Sequence, residues 1–146
     1  MEPYPVPPVL WTESYRIGHT AIDHHHRELV ECLVAVQTAI DVQASMAEIL
    51  GRFDFWLDAF ACHAQIEERL MDRLTLPPGS AHREIHCAEH GDFLHEAMAL
   101  RTRMKTGHCP SSIIENLGLS LIGFDLIRRD FEMIGHLLHE GQLEIG

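Results

Sequence analysis

The chain has 146 residues, enough for one domain with a real hydrophobic core, and its 46% hydrophobic and 23% charged residues are an ordinary globular balance. A formal net charge of −11 argues against nucleic acid and anionic membranes as partners, and no apolar run is long enough to span a bilayer. The anomaly is the twelve histidines, which are spread along the chain rather than gathered in a tag.

The proline-rich start, MEPYPVPPVLWTESY, has neither the basic nor the apolar region of a secretory signal. It reads as an extended arm over residues 1–19, with Trp11 and Tyr15 pinning it to the fold. Four cysteines (Cys32, Cys62, Cys87, Cys109) form no CxxC pair. With no export signal they read as reduced thiols, and the expected location is the cytoplasm.

Beyond the arm the pattern is helical, and strand-like alternation is absent. Thr20-x-x-Asp23, Ser45-x-x-Glu48 and Ser112-x-x-Glu115 read as capping boxes. Ser80 reads as the N-cap of the remaining helix, and Gly141 can close the last one. The main breaks are Leu76-Pro77-Pro78-Gly79-Ser80 and Thr106-Gly107-His108-Cys109-Pro110. The expected helices run at about 20–42, 45–74, 81–105 and 112–139. Four such helices joined by short loops predict an all-α, antiparallel up-down-up-down four-helix bundle with an extended N-terminal arm, a single domain over 1–146.

The apolar stripes single out particular polar residues. On the first helix Ile22, Leu29, Leu33, Val36 and Ile40 keep their steps of three and four only if His26 is also inside, which leaves His24 and His25 outside. On the second the stripe is Ile49, Phe53, Trp56, Phe60, His63, Glu67, Leu70 and Leu74; on the third it is His86, His90, Phe93, Ala97, Leu100 and Met104. One buried histidine is an ordinary core residue. Four histidines and a glutamate on facing stripes offset one another's burial cost through a shared partner, and a metal is the natural one.

Depth agrees. At 1.5 Å of rise per residue, His26 lies about 9 Å from its helix start, Glu67 and His63 about 10 and 16 Å from theirs at the other terminus, and His86 and His90 about 8 and 14 Å from theirs. In an antiparallel bundle these are one end and one layer. The i,i+4 pairs His63/Glu67 and His86/His90 spread over a turn, which suits two metals. Imidazole mixed with carboxylate suits iron before manganese or zinc.

These residues resemble the hemerythrins, and single-domain bacteriohemerythrins in particular. The stretches are WTESYRIG from Trp11 to Gly18, Ile22-Asp23-x-x-His26, His63-x-x-x-Glu67-Glu68-x-Leu70-Met71, and His86-x-x-Glu89-His90-x-x-Phe93, in family order over nearly the whole chain. The resemblance implies an oxo- or hydroxo-bridged pair of iron ions that binds dioxygen. His26, His63, His86 and His90 would be terminal ligands and Glu67 a bridge. His82 would lie near the mouth as a surface or supporting residue.

The fourth helix departs from the family. Asp130 fits the second bridging carboxylate, but Asp125 stands where the family has a ligand histidine, Leu121 where it has Trp, and Ala64 where it often has Phe. An aspartate adds negative charge beside the metals, which favours the ferric state and disfavours reversible oxygenation. Loss of aromatic bulk would make a roomier, wetter pocket. Regular helical counting puts Asp125 on an edge and Asp130 well round the cylinder from the stripe Leu117, Leu121, Phe124, Phe131, Ile134 and Leu138. A local π-bulge would turn both aspartates inward. Otherwise Asp125 pairs with Arg128 or Arg129, and Glu132 with His136 becomes the rival ligand pair.

Cys62 and Cys87 point about 100° away from their neighbouring histidines and read as packing residues. His19 reads as a solvated helix-start residue, and Glu68 and Glu89 as supports for ligand imidazoles or surface charge. The leading function is a dioxygen carrier, store or sensor rather than an enzyme. The alternatives are a di-iron redox enzyme (peroxidase, oxidase or nitric oxide handling) and an iron-binding module.

Overall fold

The computed structural model describes residues 11–107 and 111–143, with side chains except at Ser111 and positions 124–127. The helices are α1 (Thr20–Asp41), α2 (Met46–Met71), α3 (Pro77–Lys105), α4 (Ser111–Ser120) and α5 (Asp130–His139). A π-helical segment, Leu121–Arg129, joins α4 to α5 without a break.

Cross-helix pairs give the directions. Arg52 of α2 donates to the carbonyl of Ala35 while His63 packs on His26, so α1 and α2 are antiparallel. Arg101 binds Asp54 and His90 meets Glu67, so α2 and α3 are antiparallel. Gln37 meets Glu115 and His26 meets Asp130, which sets the last rod antiparallel to α1. The bundle is therefore up-down-up-down, with α4, the π segment and α5 together forming the fourth rod.

The helix ends show which local signals act. Ser45 caps α2, accepting the Glu48 amide on its hydroxyl. Gly141, at φ 70°, closes α5 with the paired bonds from Gly141 N–H to Leu138 and from Gln142 N–H to Leu137, the pattern that a left-handed residue after a helix permits. At α1 the cap is His19 rather than Thr20: its Nδ1 accepts the Ile22 amide. That frees Asp23 to accept the Ile17 and Gly18 amides and pin the incoming arm. Ser80 is not a cap. Helix α3 starts at Pro77, because proline at the first helical position has the right φ and lacks an amide that would go unbonded.

Two apolar clusters fill the bundle. The larger contains Leu29, Leu33, Val36, Phe53, Trp56, Phe60, Leu100, Met104, Ile114 and Leu121. The smaller contains Ile22, Met71, Leu74, Met133, Ile134 and Leu137. On α1, α2 and the fourth rod, His26, His63, Glu67 and Asp130 fall between the two. At the end of the smaller cluster, Glu140 of the last turn accepts the Thr75 and Leu76 amides, tying α5 to the α2–α3 connection.

The fourth rod departs from the regular-helix reading. Phe131, expected inside, is 61% exposed, and Leu138 is also exposed, while Asp130, Met133, Ile134 and Leu137 are buried. Bonding from i to i+5 puts an extra residue in each turn, so the inward face after the segment is shifted round the rod. Phe124 belongs to the segment, and its side chain lies outside the described residues.

Leu33→Ala, at a fully buried position of the larger cluster, should cost about 2–5 kcal/mol in a urea titration. Glu140→Ala should lower the melting temperature without changing the metal content. An unchanged melt would show that the link between α5 and the α2–α3 connection contributes nothing to stability.

Candidate metal centre

Six polar side chains meet in the layer between the clusters: His26 from α1, His63 and Glu67 from α2, His86 and His90 from α3, and Asp130 from α5. Relative exposure is 0% for His26, Glu67, His86 and Asp130, and 2% for His63 and His90. The i,i+4 spacing places His63 and Glu67 on one face of α2, with Nε2 of His63 3.1 Å from Oε1 of Glu67. It does the same for His86 and His90, whose rings are 4.5 Å apart.

The two carboxylates join the four imidazoles. Oδ2 of Asp130 lies 2.6 Å from Nε2 of His26 and 3.3 Å from Nε2 of His63. Its Oδ1 lies 2.9 Å from Nε2 of His86. Oε1 of Glu67 lies 3.1 Å from Nε2 of His90 and 3.6 Å from Nε2 of His86. Potential ligand atoms thus form two overlapping groups, His26/His63/Glu67/Asp130 and Glu67/His86/His90/Asp130, each within 4.8 Å. Glu67 and Asp130 are common to both.

Burial alone would raise the Asp130 carboxyl. The hydrogen bonds from His26, His63 and His86 outweigh it and hold the group well below the usual carboxylate range. Asp130 is therefore an anion, ready to act as a ligand. Imidazole nitrogens and carboxylate oxygens packed in one buried layer form a mixed donor set of the kind that first-row divalent cations take. The donor set fits such ions.

The walls are built from the same helices. Phe60, one turn before His63, packs edge-on against His90 with centroids 5.8 Å apart, and Phe93 packs on Phe60 at 4.8 Å. Ala64 and Leu121 are both buried in the larger apolar cluster beside these rings. A bidentate pair from Arg129 to Glu89, at 2.7 and 2.8 Å, ties the residue before Asp130 to α3. Glu89 therefore anchors the fourth rod rather than a ligand imidazole. Glu68 faces Nδ1 of His90 at 3.8 Å.

Of the residues singled out in the sequence, His26, His63, Glu67, His86, His90 and Asp130 converge. Asp125 lies in the π segment, and its side chain is outside the described residues. Arg128 and Arg129, its alternative partners, bind Glu132 and Glu89. Glu132 and His136 are not in either group: Glu132 also meets Arg129, and His136 packs on His82. Of the other two histidines in the run, His24 faces solvent and His25 is half-buried, edge-on to His63 at 6.1 Å. Neither Cys62 nor Cys87 joins the cluster, and burial with Glu68 nearby pushes the Cys87 thiol up to about 11. The residue least visible in the sequence is His82, whose burial among His86 and His136 brings it down to about 4. Its signal was the further i,i+4 step 82–86–90.

Comparison with known proteins fits this geometry. The family model for the hemerythrin HHE cation binding domain matches residues 18–134. The chain belongs to the hemerythrin family. A bacteriohemerythrin from Stenotrophomonas maltophilia (strain R551-3) is 28% identical over 125 residues, covering 84% of this chain and 76% of that protein. No solved structure matches the chain significantly. The molecule is thus a helical, metal-binding domain of the hemerythrin family, and among the described residues no helix is long and apolar enough to cross a membrane.

Because Glu67 and Asp130 belong to both groups, Glu67→Ala or Asp130→Ala should lower metal content more than His26→Ala or His90→Ala. Elemental analysis after metal loading and desalting would measure it, and equal losses from all four variants would contradict a shared role for the carboxylates.

Proposed function

We propose that the six residues hold two iron ions and that this single domain is a cytoplasmic dioxygen-binding protein, acting as carrier, store or sensor. The observation that carries the reading is the pair of overlapping groups sharing Glu67 and Asp130. His26 and His63 would be the terminal ligands of one ion and His86 and His90 those of the other, with both carboxylates bridging. When bound, the iron pair supplies the redox-active centre at which dioxygen is taken up. The protein's own part is to present the six donors, neutralise the cations and exclude water. The apolar clusters on either side, with Phe60 and Phe93 against the imidazoles, keep the layer dry. Exclusion of water slows loss of electrons from a ferrous pair.

A second reading is supported by the fourth rod. The described cluster contains four imidazoles, two in each group, and the fourth rod adds a carboxylate but no imidazole. Fewer neutral nitrogen donors per carboxylate stabilise the ferric state. That favours a di-iron redox enzyme acting on peroxide, dioxygen or nitric oxide, and an inward Asp125 would strengthen it. A plain iron-binding module is the third possibility.

The deciding experiment cycles oxygen over the anaerobically reduced, iron-loaded protein while its visible spectrum is recorded. The leading reading predicts absorption that appears with oxygen, disappears when oxygen is removed, and repeats over several cycles with one dioxygen taken up per two irons. Oxygen consumed without release, leaving a fixed ferric spectrum, would replace it with the redox-enzyme reading. Two irons with no spectral response would leave the iron-binding module.

A further inference from the structure

His82 stands outside both groups, one turn before His86 on α3, and is 7% exposed. Its Nε2 lies 3.0 Å from Nδ1 of His86, with the rings nearly perpendicular and their centroids 5.0 Å apart. The other nitrogen of His86, Nε2, points inward at Oδ1 of Asp130 and Oε1 of Glu67. The two ends of this imidazole thus face different things: a pair of candidate bridging carboxylates, and a second imidazole.

Without a metal, Nε2 of His86 can donate to Asp130; a metal bound at Nε2 would displace that proton and set a different tautomer. A neutral imidazole carries one proton, and only the bare nitrogen can bind a metal. If Nε2 of His86 is the ligand atom, its proton is on Nδ1. Nε2 of His82 must then accept, and the proton of His82 moves to Nδ1, which faces Oε2 of Glu132 at 3.8 Å. Glu132 is in turn held by Arg128 and Arg129 at 3.4 and 3.5 Å. His136 packs on the open side of His82, ring centroids 5.1 Å apart.

We propose that His82 is a positioning residue for one of the two metal sites: by accepting the Nδ1 proton of His86 it fixes the tautomer and ring orientation that present Nε2 to the metal. The inference rests on the reading of the six residues as a two-metal centre. It is specific to one site. His90, in the same group, has the carboxylate of Glu68 opposite its Nδ1. In the other group, Nδ1 of His26 and of His63 has no hydrogen-bond partner among the described residues. His86 is therefore supported by a neutral acceptor, which makes it a less basic ligand than one supported by a carboxylate.

The test is an anaerobic titration of the full-length metal-free protein with ferrous iron, in competition with a chelator. Wild-type protein should bind two equivalents. His82→Ala should weaken one equivalent by about 10–100-fold, the usual effect of losing a ligand's supporting partner, and leave the other unchanged. His82→Gln, whose side-chain carbonyl can accept the same proton, should regain most of the loss. Two unchanged equivalents in His82→Ala would overturn the proposal. So would equal losses in His82→Ala and His82→Gln together with a lowered melting temperature of the metal-free protein, because that pattern marks a packing role. If His82→Ala does not fold, nitrogen-15 NMR of the zinc-loaded wild type decides: a protonated Nδ1 on His86 is required, and a bare one overturns the proposal. Wild-type protein that fails to bind two equivalents would instead refute the two-metal reading itself.

Discussion

The structure depends on burying two carboxylates, Glu67 and Asp130, in one dry layer among four imidazoles. Burying both among apolar layers is costly unless their charge is paired, and a metal held by all six side chains would supply that pairing. The four helices bring in the donors and the two hydrophobic clusters hold them from above and below. The metal layer interrupts the core, and the core sets the dielectric in which a metal would act.

Asp130 ties that layer to the fourth rod. A regular α-helix from Ser111 to His139 would turn a different residue inward at that depth. The π segment ends at Arg129, immediately before Asp130, and α5 then continues with Asp130, Met133, Ile134 and Leu137 facing in. Arg129 is clamped to Glu89 of α3, so the end of the segment is fixed to the helix that supplies His86 and His90. The local widening of the backbone is thus where sequence, packing and site chemistry meet. It exposes Phe131 and buries an aspartate in one change of register.

Much of this was legible in the sequence. The number and direction of the helices follow from period and punctuation, and His26, His63, Glu67, His86 and His90 follow from polar interruptions in apolar stripes. Both signals work because α1, α2 and α3 are regular over those positions. The fourth rod was not legible in the same way. Asp130 was found through family resemblance, while helical counting placed it off the stripe and placed Phe131 on it. Periodicity assumes a constant number of residues per turn, and the π segment breaks that assumption. The proline pair at the start of α3 was misread for a different reason: proline ends a helix from inside but begins one from the first turn. His82 reads in sequence only as a surface or supporting residue, because a histidine one turn outside a metal layer looks the same whether it faces solvent or a ligand.

The most direct test of a shared two-iron layer is a crystal structure of the iron-loaded protein with anomalous data collected at the iron edge. Two iron peaks are expected within about 4 Å of each other, with Glu67 and Asp130 each touching both and the π segment intact over Leu121–Arg129. A single peak, or two peaks with Asp130 turned out of the layer by a regular helix, would contradict that arrangement.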